Sequence, residues 1–226
     1  MAAENPVAAL YAATVGATKQ CLDLIREIQK LNVWAPWMLD LWQHLIPEVF
    51  LRCHALEEAF QAKELSASAW NARNLLELAV WVAYCAQSPE NAKRFYDDKA
   101  RDVFDFLEGV KVLASFAGSS SADLQKLADE SKGRIVNLVI ADGYEAIDEA
   151  YLRVHKAAEE IGLGLFFTSL NKIFSKFAHP TAMTIFSFPD EAWRGEICSH
   201  LCLLGMTFAN SSLAEFERYA NSAPRS

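Results

Sequence analysis

The stretch that decides the fold runs from Ser68 to Gln87 and reads SAWNARNLLELAVWVAYCAQ. It contains neither glycine nor proline. Trp70, Arg73, Asn74, Glu77, Trp81 and Tyr84 recur at spacings of three and four, which places them along one face of a helix. Leu75, Leu76, Leu78, Ala79, Val80 and Val82 fill the other faces. A helix apolar nearly all round is one that other elements surround. The stretch therefore predicts a central buried helix near residues 68–87, with Ser66 or Ser68 as its cap. Arg73 and Glu77, at i and i+4, are then charges inside a protein, and such charges have to be paired and hydrogen-bonded. Two readings follow: a self-satisfied pair that fixes helix register, or a polar pocket that binds something.

Further helices extend on both sides. Asn5-Pro6 reads as a cap followed by proline at the first helical position, and apolar spacing carries that helix to Leu31. Trp34-Ala35-Pro36-Trp37 restarts the chain toward Leu65, with Pro47 predicting two helical pieces or one kinked helix. Ser88-Pro89-Glu90 opens a helix to Phe116. Gly118–Ser121 reads as a loop, and Ser121 as the cap of a helix from Ala122, with a short strand around Ile135–Ile140 as an alternative. Helices over Tyr144–Ile161 and Leu165–Phe177 follow, the second stopped by His179-Pro180. Ser187-Phe188-Pro189 then begins a last helix to about Tyr219. The sum is an all-α, single-domain bundle of about seven helices spanning residues 1–226.

Composition agrees. Among 226 residues, Gly 9 and Pro 7 together fall well below average usage. Hydrophobic residues make up 52%, enough to offset chain entropy and exclude disorder. With Lys+Arg 21 against Asp+Glu 29, the net charge is −8, which disfavours non-specific nucleic-acid binding. No uninterrupted apolar run has the length of a membrane span. The opening Met1–Pro6 lacks a signal-peptide pattern, and the cysteines, Cys21, Cys53, Cys85, Cys198 and Cys202, are odd in number. Both features lead us to expect a cytoplasmic protein with reduced thiols.

His179 is the second candidate feature. Ser175 lies four residues before it and Lys172 seven before it, so the three share a helical face. Its imidazole can serve as a general base or as a donor near the helix C-terminus, or it can simply cap the last carbonyls. The i,i+4 pairs His44/Glu48, His54/Glu58 and Glu196/His200 each offer two metal ligands on one helix face. These read as ordinary helix-surface pairs, although a bundle metal site built on His44, His54 and His200 is a conceivable third reading. The Glu-x-x-His signature of di-iron bundles is absent, and no metal or cofactor is expected. Cys198 and Cys202 read as small core residues. Gly162-Leu163-Gly164 is not a phosphate loop. Trp34, Trp37, Trp42 and Phe50 read as core or dimer interface in preference to a ligand groove.

Taken in order, Arg73-Asn74-Leu75-Leu76-Glu77, Phe95-Tyr96, Glu160-Ile161-Gly162-Leu163 and Ser175-Lys176-Phe177-Ala178-His179-Pro180 resemble a bacterial all-helical family without assigned function that is similar to HEPN domains. The resemblance covers about residues 45–210. It implies a helical bundle that dimerises, and it suggests the ribonuclease activity that many HEPN proteins of toxin and phage-defence systems carry. The catalytic signature of those enzymes is an arginine, four to six residues, then a histidine. Here the positions before His179 that should hold the arginine are Lys172, Ile173 and Phe174. Lys172 has the charge without the planar fork.

These residues lead to an interaction or ligand-binding module, expected to be a homodimer, with a polar pocket for a small anionic ligand. Its candidate residues are Arg73, Asn74, Glu77, Tyr84, Lys172, Ser175 and His179. The alternative is a HEPN-like ribonuclease or nucleotide-acting enzyme, with His179, Arg73 and Glu77 as the catalytic candidates.

Overall fold

Asn5 starts the first helix as its sequence predicts: its Oδ1 accepts from the Val7 amide at 3.1 Å, and Pro6 follows. Helix α1 then runs over Pro6–Leu31 and ends at Asn32, which takes the left-handed conformation (φ 53°). The computed structural model describes residues 5–116, 126, 129–131, 133–134, 152–181, 184–185 and 191–222. Its remaining long elements are α2 (Pro36–Gln61), α3 (Leu65–Gln87), α4 (Pro89–Phe116), α5 (Val154–Glu160), α6 (Gly164–Ala178) and α7 (Glu191–Ser222). The protein is an all-α bundle, and among the described residues there is no strand.

Residue contacts divide the chain into two compact units, Met1–Ala92 with Arg153–Ser226, and Lys93–Leu152. In the first unit α3 is the central helix, packed against α7, α2, α6 and α5. Helix α1 packs on α7 and α2. In the second unit Lys93 pairs with Asp97 at 2.6 Å, and the Lys99 ammonium sits 3.5 Å over the Tyr96 ring. The predicted loop at Gly118–Ser121, the Ile135–Ile140 alternative and the Ser187–Pro189 start signal lie outside the described residues, as does the start of the helix predicted from Ala122, of which residues 126, 129–131 and 133–134 are described and helical.

Several boundaries differ from expectation for identifiable reasons. Helix α2 is one helix with Pro47 inside it. Loss of a single backbone donor is offset there by burial of Leu45, Ile46, Val49, Cys53 and Leu56 along the inner face. Helix α3 starts at Leu65 without a side-chain cap, because Ser68 is buried within the helix instead of ending it. Of the helix predicted over Tyr144–Ile161, the part before Leu152 lies outside the described residues; Leu152 and Arg153 are non-helical, with Arg153 extended, and the helix begins at Val154. Its end is as expected: Gly162 takes φ 77°, and Leu163 N donates to Ala158 O at 2.7 Å.

The core is closed by α7. Phe216, Leu213, Met206 and Cys202 are fully buried, and Asn210 Nδ2 reaches Thr14 Oγ1 on α1 at 2.8 Å. Helix α7 is also long and apolar enough to cross a membrane by length and composition, with half of its most apolar window buried within the protein. At Gly205, α7 passes close to the backbone of α3. A methyl there would run into the Leu56 Cδ2 methyl and stand 3.2 Å from Ala72 Cα. Leu56 can rotate away, but the Ala72 backbone cannot. Gly205→Val should therefore destabilise by about 2 kcal/mol through overpacking, lowering Tm by about 6 °C for a chain of this size. A thermal melt at or above the wild-type midpoint would show that the two helices do not meet there.

All five cysteines are buried and none is disulfide-bonded. Burial pushes the thiols up, Cys53 to about 11 and Cys21 and Cys202 to about 12. They are inert core residues, as the reading of Cys198 and Cys202 holds.

Candidate functional site

Helix α3 turns its polar stripe outward. Arg73 and Glu77 are half-buried, with side chains 25% and 28% exposed. They lie at the surface of the bundle and not in its interior, as the expectation of buried charges required. Arg73 Nε donates to Glu77 Oε1 at 3.1 Å, which fixes the guanidinium along the helix. Its Nη1 faces His179 Nε2 at 3.5 Å, across 106 residues of sequence. Arginine has no acceptor, so in this contact Nη1 donates and the Nε2 lone pair accepts. Trp70 completes the group. Its ring meets His179 edge-on at 6.2 Å and lies 6.0 Å from Arg73 Cζ.

Why His179 can reach Arg73 follows from the end of α6. The helix stops at Ala178, and His179 is extended (φ −111°, ψ 151°), the conformation favoured before a proline. The Thr181 hydroxyl donates to Lys176 O at 3.2 Å, and the Thr184 hydroxyl contacts His179 O at 3.3 Å. The Thr181 hydroxyl thus takes up one of the helix-end carbonyls that His179 was a candidate to cap, and the His179 ring faces Arg73 on α3.

Beside this group a groove of about 260 Å³ runs between α2 and α3, lined by Glu48, Arg52, Trp70, Asn74, Glu77, Leu78 and Trp81. Arg52 Nε donates to Glu48 Oε1 at 2.6 Å. Asn74 makes no hydrogen bond among the described residues, so its amide is available to the groove. Trp70 and Glu77 both line the groove and both contact Arg73, so groove and Arg73–His179 pair are continuous.

The structure thus gathers Arg73, Glu77 and His179, with Asn74 alongside. Three other candidates fall elsewhere. Tyr84 has the right spacing for the stripe but is fully buried. Val80, Val82 and Cys85 around it are buried as well, so the Tyr84 side of the last turns of α3 belongs to the core. Ser175 is half-buried and Lys172 exposed, and among the described residues neither makes a hydrogen bond or ion pair. The i,i+4 relation that put Ser175 beside His179 ends where the helix ends. Trp70 and Trp81 were visible on the stripe without a role. Arg52 was missed, and Glu48 was considered only beside His44 as a metal ligand, although the i,i+4 spacing of Glu48 and Arg52 was a signal.

His44 and Glu48 have other partners, and His54 Nε2 faces Glu58 at 3.6 Å as a helix-surface pair. His44 Nδ1 contacts Asp40 O at 2.8 Å, Glu48 belongs to Arg52, and His54 Nδ1 meets the Tyr11 hydroxyl at 2.8 Å. Among the described residues no group of three His, Cys, Asp or Glu side chains is placed to hold a metal. Of the aromatic group, Trp42 is fully buried and packs on Phe216 at 4.9 Å, and Trp34 meets the same ring edge-on. Compared with protein-family models, curated proteins and solved structures, the chain finds no match.

Proposed function

We propose that the chain is a binding module without turnover, whose site holds the anionic group of a small ligand between Arg73 and His179. One observation carries this reading. Glu77 and His179 occupy the Nε and Nη1 sides of Arg73, and among the described residues its Nη2 has no partner. A half-buried guanidinium held from one side presents the rest of its fork to a carboxylate or phosphate. In this picture Glu77 orients Arg73, Trp70 walls the site, and His179 closes it. Titration with butyrate and with inorganic phosphate, followed by the indole N–H resonance of Trp70, tests the reading. Saturable movement is expected. A Trp70 resonance indifferent to both anions would remove it.

A second reading has its own support. The local arginine that a HEPN-like nuclease carries before its histidine is missing, yet Arg73 stands beside His179 from another helix. In that reading Arg73 turns from His179 Nε2 to the phosphate and stabilises its charge, and the freed Nε2 takes the proton of the attacking 2′-hydroxyl. The P–O5′ bond breaks as the P–O2′ bond forms, and the leaving 5′-oxygen takes its proton from solvent. Cleavage of single-stranded RNA by the purified protein, lost in His179→Ala, would establish it. RNA left intact by stoichiometric protein would eliminate it.

A further inference from the structure

Among its own lining residues the groove between α2 and α3 carries an excess of one negative charge. It carries two carboxylates, Glu48 and Glu77, against one guanidinium, Arg52. Each carboxylate is bound by its own arginine through Oε1, and among the described residues Oε2 has no partner in either. Asn74, Trp70 and Trp81 line the same space. Carboxylate oxygens and indole faces are the groups that receive an N–H-bearing cation.

Charge counting over the whole site points the same way. Arg52 and Arg73 balance Glu48 and Glu77, so the combined site is neutral. A bare anion on Arg73 leaves one negative charge in excess, in a protein whose net charge is already −8. Poorly solvated charge is costly unless it is paired. A ligand that brings its own positive charge restores the balance, and Glu77 joins the two halves because it touches Arg73 and lines the groove.

We infer that the ligand is a zwitterion: its carboxylate or other anionic group sits on Arg73 and His179, and its ammonium enters the groove at Glu48 and Glu77. This rests on the anion-binding reading above and adds the second half of the ligand. The groove volume of about 260 Å³ suits an aliphatic amine and falls below the range of drug-sized sites. The probes are 4-aminobutyrate and 6-aminohexanoate, each compared with butyrate and hexanoate by calorimetry and by Trp70 indole shifts.

At least one amino acid should bind tenfold or more tighter than the carboxylate of equal length, the worth of one charge-assisted hydrogen bond. In Glu48→Gln the ratio of the two constants should fall toward one. Equal binding of both members of each pair, with Arg73-dependent affinity retained, overturns the zwitterion and leaves the anion site standing. A ratio that Glu48→Gln leaves intact overturns the placement of the ammonium. Absence of binding by all four compounds overturns both readings together.

Discussion

Phe216→Ala should destabilise the bundle by about 4 kcal/mol, the usual cost of emptying a phenylalanine site in a core. The Phe216 ring is fully buried, 4.9 Å from the Trp42 ring and edge-on to Trp34 at 6.4 Å. Trp42 is itself wholly enclosed, and among the described residues its indole N–H has no acceptor, so it is held by packing alone. Little around the vacated site can relax to fill it. The loss is a large share of the stability of an ordinary domain. It should appear as a fall in Tm of about 12 °C. Leu204→Ala, on the same helix but 39% exposed, is the control and should change the melt far less. Equal effects from the two substitutions would show that α7 does not present its Phe216 face to the core.

Arg73→Lys should weaken anion binding at least tenfold while leaving the melt near that of the wild type. Lysine keeps the charge and can still pair with Glu77, whereas the fork that lets one side chain hold Glu77, His179 and a ligand together is lost. Tenfold corresponds to about 1.4 kcal/mol, within the worth of one charge-assisted hydrogen bond. Arg73→Ala should abolish binding, but it also strands the half-buried Glu77 carboxylate and confounds stability with recognition. Lysine is therefore the more informative substitution. Wild-type affinity in Arg73→Lys would mean that a point charge suffices and that the fork has no role.

Much of the fold was legible because local signals and burial agree. Asn5-Pro6 and Ser88-Pro89 mark the starts of α1 and α4, and Ser88 Oγ accepts from the Asn91 amide at 3.1 Å. Where packing competes with a local signal, packing wins: Pro47 stays within α2, and Ser68 is buried inside α3. The candidate site was legible only within single helices. The spacing of Arg73 and Glu77 predicts their ion pair, and the structure has it. Nothing in spacing could bring His179 to Arg73, because that contact depends on where α6 ends and how it lies on α3. The same holds for Glu48 and Arg52. Their pairing along α2 is a matter of sequence, but their facing Asn74 and Glu77 is a matter of helix packing. Tyr84 is the converse case, with the spacing of a site residue and the surroundings of a core residue.

The most direct test of the account is the Cε1–H resonance of His179, followed while butyrate is added. If Arg73 and His179 share one anion, this resonance and the Trp70 indole N–H should move together along a single saturating curve, and Arg73→Lys should remove both responses. If His179 shifts no sooner than the exposed His44, and does so equally in Arg73→Lys, the two residues do not form a binding site.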